Sequence, residues 1–178
     1  MSAVKPNFLF FVTRDSLLLL VAVLLWFGLA ESQRDATALG DFFGVIVGAA
    51  LVLGAHLLHE WGHLLGGLAG RSAMRPADSF SALSIFAYAP RENSIQQFLL
   101  MSFGGFAFTA AVVWFSFAVL PDGYLATHIA RGYAVLQVVL ALLLEVPLVF
   151  WALIRKEIPP IDTWPNLGSL VPKALLRR

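Results

Sequence analysis

The chain has 178 residues, of which 59% are hydrophobic and 13% are charged, and its mean hydropathy is +0.80. A soluble domain of this size cannot bury so much apolar surface, so the composition excludes a soluble globular protein and predicts an integral membrane protein in contact with the lipid bilayer. The formal net charge of +1 gives no indication of a nucleic-acid partner, and the absence of cysteine excludes disulfides, thiolate metal ligands and a thiol nucleophile.

Four apolar segments follow one another along the chain, at about 16–30, 42–68, 98–120 and 132–154. They predict an all-α fold with four transmembrane helices in a single membrane domain. The first segment has a basic start and ends in Gly-Leu-Ala, as a secretory signal does, but we expect it to be retained as the first span. Residues 155–178 contain several prolines, which cannot continue a helix, and are expected to form a cytoplasmic tail.

Between the second and third segments lies a loop that runs from Gly70 to about Gln97. Its centre, residues 79–89, alternates loosely between small or polar side chains and bulky ones. This pattern favours a strand or hairpin at the membrane surface over another span. We therefore expect a short surface hairpin or loop between helices 2 and 3.

The basic residues are distributed unevenly over the two sides of this arrangement. With the N-terminus inside, all but Arg34 and Arg131 of the twelve lysines and arginines fall on the same side. Because lysines and arginines that flank spans are enriched in the cytoplasm, both termini are expected to be cytoplasmic. The bare four-span design suits a prokaryotic plasma membrane.

The second segment contains the HExxH motif, as His-Glu-Trp-Gly-His at residues 59–63. Helical positions four apart point about 40° apart, so His59 and His63 lie one turn apart on one face and can hold a tetrahedral Zn²⁺ ion. Glu60 points away from that ion but can reach a water beside it as a general base. Ionisable groups cost roughly 2.5–3.5 kcal/mol each at the centre of a membrane helix, which favours a functional site over a structural role.

Histidines in a membrane span also serve as haem or chlorophyll ligands, and His56, His59 and His63 all lie on one arc of this helix. That interpretation would leave the adjacent Glu60 unexplained. We therefore prefer the metal site.

A catalytic zinc site needs a third protein ligand and keeps a further position for water. Glu145, in the fourth segment, is the first candidate, because no Lys or Arg lies within the predicted spans to pair with it. Pro147 is expected to break the helix locally and to let the chain bend toward the second segment. Asp162 is the rival candidate, although it follows the end of the last span and would have to fold back.

This combination resembles the site-2 protease family of intramembrane zinc metalloproteases. The resemblance rests on the HEWGH motif late in a span, on the surface loop after it, and on Ser-Phe-Gly-Gly-Phe-Ala at residues 102–107, where the family usually has Ala-Gly-Pro-Leu-Ala-Asn. Phe108 stands where that motif has its Asn. If Glu145 replaces the family's aspartate ligand, Gln137 falls at the place of an Asn in the last motif. The match covers about residues 42–154.

The resemblance implies a divergent intramembrane zinc metalloendopeptidase that cleaves a transmembrane segment of another protein. It implies Zn²⁺ as the cofactor, Glu60 as the catalytic residue, and His59 and His63 as ligands together with Glu145 or Asp162. The altered second and third motifs and the small size leave an alternative open. A non-proteolytic accessory or structural subunit of a larger membrane complex would keep the same fold.

Overall fold

The computed structural model of the protein describes residues 6–33 and 37–159. Most of these residues are helical. The helices are α1 (Phe8–Leu29), α2 (Ala38–Ala69), α3 (Ile95–Trp114), α4 (Leu125–Leu140) and α5 (Val146–Arg155), and the two strands are β1 (Met74–Pro76) and β2 (Phe86–Tyr88). A π-helical turn, Phe115–Val119, continues α3, and a second one, Ala141–Glu145, joins α4 to α5 in one continuous rod. Short 3₁₀ turns lie at Glu31–Gln33 and Pro90–Glu92.

Four helical stretches in the described part of the chain are long and apolar enough to cross a membrane: 8–29, 38–69, 95–119 and 125–155. Large apolar side chains on them stay exposed, for example Phe27 (78% exposed), Ile154 (75%) and Leu9 (70%). An apolar belt of this extent is the surface that lipid tails cover. The prediction of an all-α integral membrane protein with four spans and a short hairpin is confirmed.

Two of the helices begin earlier than the hydropathy of the sequence predicts, because charged residues within them are paired. Helix α1 begins at Phe8, where Asn7 caps it by accepting a hydrogen bond from the amide of Phe10 at 2.8 Å. Helix α4 begins at Leu125 and includes Arg131, whose guanidinium contacts Asp122 at 2.5 Å. The expectation that no cation lies within the spans is therefore wrong for both helices.

Helix α2 packs against α3 through glycines that let the two backbones approach closely. A Cβ atom on Gly62 would meet Gly104, and one on Gly66 would meet Leu100, so the two helices run antiparallel. Small residues at such crossings allow helices to associate in lipid, where apolar burial gives little driving force. This contact fixes α3 against the half of α2 that carries the HExxH motif.

Helix α2 also packs against α4, and here the two helices run parallel. A Cβ atom on Gly44 would meet Leu125, and one on Gly48 would meet Ile129, so both contacts advance in the same direction along the two helices. The C-terminal end of the α4–α5 rod therefore lies beside the C-terminal half of α2. This arrangement brings Glu145 to the level of the HExxH motif.

The surface hairpin is antiparallel, with Met74 opposite Tyr88 and Pro76 opposite Phe86. Of the predicted strand at 79–89 only Phe86–Tyr88 is a strand, and its partner lies upstream of the predicted stretch. The intervening residues form the connecting loop, which is anchored by the fully buried Ile85. Burial raises the pKa of the Tyr88 hydroxyl to about 12, so this group stays neutral at physiological pH.

The close approach of α2 and α3 predicts a cost for any side chain at Gly66. We expect Gly66→Ala to lower the free energy of unfolding by about 1–3 kcal/mol, because the new methyl group would overlap the carbonyl oxygen of Leu100 and force the helices apart. Thermal unfolding of the detergent-solubilised protein measures the change. The matched control is Gly28→Ala in α1, where nothing lies within 4 Å, and it should leave stability unchanged or slightly raised. Equal effects of the two substitutions would contradict this packing.

Candidate metal centre

His59 and His63 lie one turn apart on α2, as the motif predicts, and their imidazoles face the same space. Their Nε2 atoms are 3.1 Å apart. The ring of His59 is buried, and that of His63 is largely so. Two imidazole nitrogens this close, in an apolar bundle, form a pair of donors that can converge on one ion.

Glu145 approaches the same two nitrogens from the α4–α5 rod, which packs against α2. Its Oε1 atom lies 3.1 Å from Nε2 of His59, and its Oε2 atom lies 3.4 Å from Nε2 of His63. One ligand atom from each of the three residues lies within 4.8 Å of the others, so the group can hold a metal ion. The structure therefore brings together the three residues that the sequence analysis proposed as ligands.

The position of Glu145 depends on the π-helical turn that ends with it. The amide of Val146 reaches back to the carbonyl of Ala141, five residues earlier, and Pro147 follows directly. Proline cannot donate a backbone hydrogen bond, and the wider turn accommodates it without interrupting the rod. Beyond it, Val149 and Ala152 of α5 pack on Phe98 and Met101 of α3, which holds this end of the rod in the bundle.

Helix α3 supplies the groups that orient the two imidazoles. Nδ1 of His63 lies 3.0 Å from the carbonyl oxygen of Met101, and Nδ1 of His59 lies 2.8 Å from the hydroxyl of Thr109. A carbonyl only accepts, so Nδ1 of His63 carries a proton, and Nε2 is the nitrogen that would be left to bind a metal ion. A hydrogen bond on the far nitrogen is the usual arrangement for a metal-ligating histidine.

Gly105 makes room for the His63 ring. A Cβ atom at this position would overlap the imidazole, so only glycine allows α3 to lie this close. In the sequence, Gly104 and Gly105 are recognisable as part of a small-residue motif, whereas the contact of Thr109 with His59 was not predicted. A hydroxyl one helical turn after Gly105, in an otherwise apolar span, is the signal that would have identified it.

Glu60 lies outside the three-residue cluster. It is half-buried, and within the described residues its carboxylate makes no hydrogen bond or ion pair. It is close enough to His63 and to Tyr133 of α4 to interact with both electrostatically. The carboxylate is thus beside the site with its oxygens uncommitted. Asp162, the rival third ligand, lies outside the described residues.

The donor set fits a divalent transition-metal ion. Two imidazole nitrogens and one carboxylate oxygen are the three protein ligands of a common class of catalytic zinc site. Within the described residues, Oε2 of Glu145 is buried and makes no hydrogen bond, and such an oxygen is costly in an apolar bundle unless a cation neutralises it. These donors also suit other metals that bind imidazole, so the identity of the ion stays a prediction.

Comparisons with models of protein families, with curated proteins and with solved structures found no match to this chain. The resemblance to site-2 proteases therefore depends on the motifs of the sequence.

The hydrogen bond between Thr109 and His59 predicts that loss of the Thr109 hydroxyl weakens metal binding. We expect Thr109→Val, which keeps the shape of the side chain but removes the hydroxyl, to weaken metal binding by about 10–100-fold, because the His59 ring loses its orienting partner. Competition with a chelator of known affinity measures the change. Thr109→Ser keeps the hydroxyl and should restore most of the affinity. If both variants bound metal as tightly as the unmodified protein, Thr109 would have no role at the site.

Proposed function

We propose that the protein is a membrane-embedded zinc endopeptidase, a divergent relative of the site-2 proteases, that cleaves a transmembrane segment of another protein. The observation that carries this proposal is the convergence of His59, His63 and Glu145 from two separate spans. Ionisable side chains within membrane spans are rare and usually functional. The position of Glu60 beside this cluster adds the residue type that hydrolysis requires.

The proposed ligands of the Zn²⁺ ion are His59, His63 and Glu145. When bound, the ion supplies Lewis acidity, which polarises a peptide carbonyl and lowers the pKa of water to about 7. Thr109 and the carbonyl of Met101 hold the two imidazoles in the orientation that binding needs. The protein's own contribution is thus to fix the donors in place before substrate arrives.

Glu60 is the proposed general base. Its carboxylate lies outside the proposed ligand set, so it would be available to take a proton from the attacking water. The same group then passes that proton to the amine that leaves as the peptide bond breaks.

A transmembrane substrate must unwind before cleavage, since helical hydrogen bonds shield its carbonyls. An extended peptide can be bound as an additional strand along the edge of a sheet. The two-stranded sheet has the order β1-β2, so each of these strands has one edge without a neighbouring strand in the described part of the chain. We propose that the hairpin receives the unwound segment of the substrate.

The proposed location is a prokaryotic plasma membrane, with both termini in the cytoplasm. This orientation is supported by the position of the lysines and arginines, of which all but Arg34 and Arg131 fall on the proposed cytoplasmic side. The hairpin lies at the same end of the bundle as the start of α1. The hairpin would therefore bind the substrate at the cytoplasmic end of the site.

The proposal predicts separate roles for two glutamates. We expect Glu60→Gln to lower the rate of cleavage by about 10²–10⁴-fold with metal content unchanged, because only the proton acceptor is lost. Glu145→Gln should lose both metal and activity, and Glu157→Gln, at an exposed position, should change neither. The measurements are metal per chain by elemental analysis and cleavage of a panel of single-span proteins in liposomes, with products identified by mass spectrometry.

Full activity in the Glu60→Gln protein would exclude this mechanism. Zinc content is compared between the unmodified protein and His59→Ala, both purified without chelators. If neither protein took up zinc, the metal site would be excluded. Stable co-purification with fixed partners would then favour the accessory subunit of a membrane complex.

A further inference from the structure

An ion pair in the apolar helix α1 connects two parts of the protein that are distant in sequence. Asp15 is fully buried, with 0% of its side chain exposed. Its Oδ1 atom accepts a hydrogen bond from Nε of Arg14 at 2.7 Å, and its Oδ2 atom accepts one from the indole nitrogen of Trp61 at 2.9 Å. Trp61 is the central residue of the HExxH motif, so α1 is bonded directly to the metal-binding turn of α2.

The guanidinium of Arg14 also holds the loop of the hairpin. Its Nη1 atom donates to the carbonyl oxygen of Ala82 at 2.7 Å and to that of Phe80 at 3.2 Å. The same guanidinium lies 4.8 Å above the ring of Phe11, which helps to fix its direction. Because both acceptors are backbone atoms, this bond sets the position of the loop whatever its side chains are.

Apolar contacts connect the same parts. Leu64, which directly follows the ligand His63, shares a buried cluster with Phe11 and with Ile85 at the end of the hairpin loop. On the other side, Phe86 of β2 packs against a cluster that contains Met101, whose carbonyl orients His63. The hairpin is therefore connected to the metal-binding turn by apolar contacts with both α2 and α3. The polar connection consists of the hydrogen bonds of Arg14 and Asp15.

We propose that Arg14 and Asp15 are positioning residues that fix the register between the hairpin and the metal-binding turn of α2, and so decide which peptide bond of an extended substrate is cut. The inference rests on the proposed function. A strand advances about 3.3 Å per residue, so a displacement of the hairpin by that distance presents the next bond to the site. Loss of the connection should therefore change where cleavage occurs rather than abolish it.

The chain offers a closely matched control for Arg14. Arg131 in α4 also donates to two backbone carbonyls, those of Ser116 and Leu120, and pairs with an aspartate, Asp122. Both arginine side chains are 19% exposed, whereas the paired aspartates differ, since Asp15 is 0% and Asp122 is 86% exposed, so the control matches the arginine and its backbone acceptors but not the buried carboxylate. The partners of Arg131, however, lie at the end of α3 and in the connection between α3 and α4, and none of them belongs to the hairpin. Arg131→Gln thus removes a largely buried cation without changing any contact between the hairpin and α2.

The first experiment measures the register without any need for activity. The protein contains no cysteine, so spin labels can be attached at Ser81→Cys in the hairpin loop and Leu68→Cys on α2. Both positions are exposed. We expect one narrow distance distribution in the otherwise unmodified protein and in Arg131→Gln, and a broadened or shifted one in Arg14→Gln and in Trp61→Phe. The Trp61→Phe variant keeps the Arg14–Asp15 pair and serves if Arg14→Gln does not fold.

The second experiment determines the cleaved bond by mass spectrometry of the product termini. Arg14→Gln and Trp61→Phe should add products cut within one or two residues of the main site, whereas Arg131→Gln should give the original products. A single unchanged site and a narrow distance distribution in both variants would overturn the proposal. If the unmodified protein cleaves no substrate, the proposed function fails and the assignment of bond selection fails with it. The distance measurement then still decides whether Arg14 holds the hairpin.

Discussion

The close contact between α2 and α3 is the constraint on which the rest of the structure depends. Glycines on both helices allow backbone-to-backbone approach, and a Cβ atom at Gly66 or Gly104 would overlap the backbone of the facing helix and force the two helices apart. Because α2 and α3 lie so close together, Thr109 and the carbonyl of Met101 can reach the two imidazoles, and the ring of His63 fits over Gly105. The geometry of the candidate metal centre is therefore a result of helix packing, and the site could not be assembled on a bundle with ordinary helix separations.

A second principle is that two of the charged pairs in the spans, those of Asp15 and Arg131, are satisfied by neighbouring side chains and backbone carbonyls. Asp15 is bonded by Arg14 and Trp61, and Arg131 is bonded by Asp122 and two carbonyls. Such pairing makes a charge tolerable in an apolar region, because the cost of burial applies to an unpaired group. Glu145 differs from these residues, since its only described partners are two histidines that α3 already orients. Among these carboxylates it is the one whose surroundings suit a metal ion.

Much of this arrangement follows from the sequence, and the parts that do not have physical reasons. The four spans follow from hydropathy, and the shared face of His59 and His63 follows from the helical repeat. The choice of Glu145 as their neighbour came from the cost of burying a lone carboxylate, and the structure places it there. The helix starts were misplaced, because hydropathy counts Arg14 and Arg131 as breaks and cannot recognise that they are paired. The first strand of the hairpin and the role of Thr109 were missed, because both depend on contacts between residues far apart in sequence.

The π-helical turn at Ala141–Glu145 has a consequence for how such a site can arise or disappear. A turn of this kind contains one residue more than the α-helical turn that it replaces. Removing one residue from it would restore a regular α-helical turn, and the two flanking parts of the rod would keep nearly the same faces, because the wider turn absorbs the extra residue. With α4 held in place by its packing on α2, the change would be confined to the side chains of the turn, of which Glu145 is the last. An insertion or deletion at this turn can therefore alter the candidate metal centre while the four spans stay as they are.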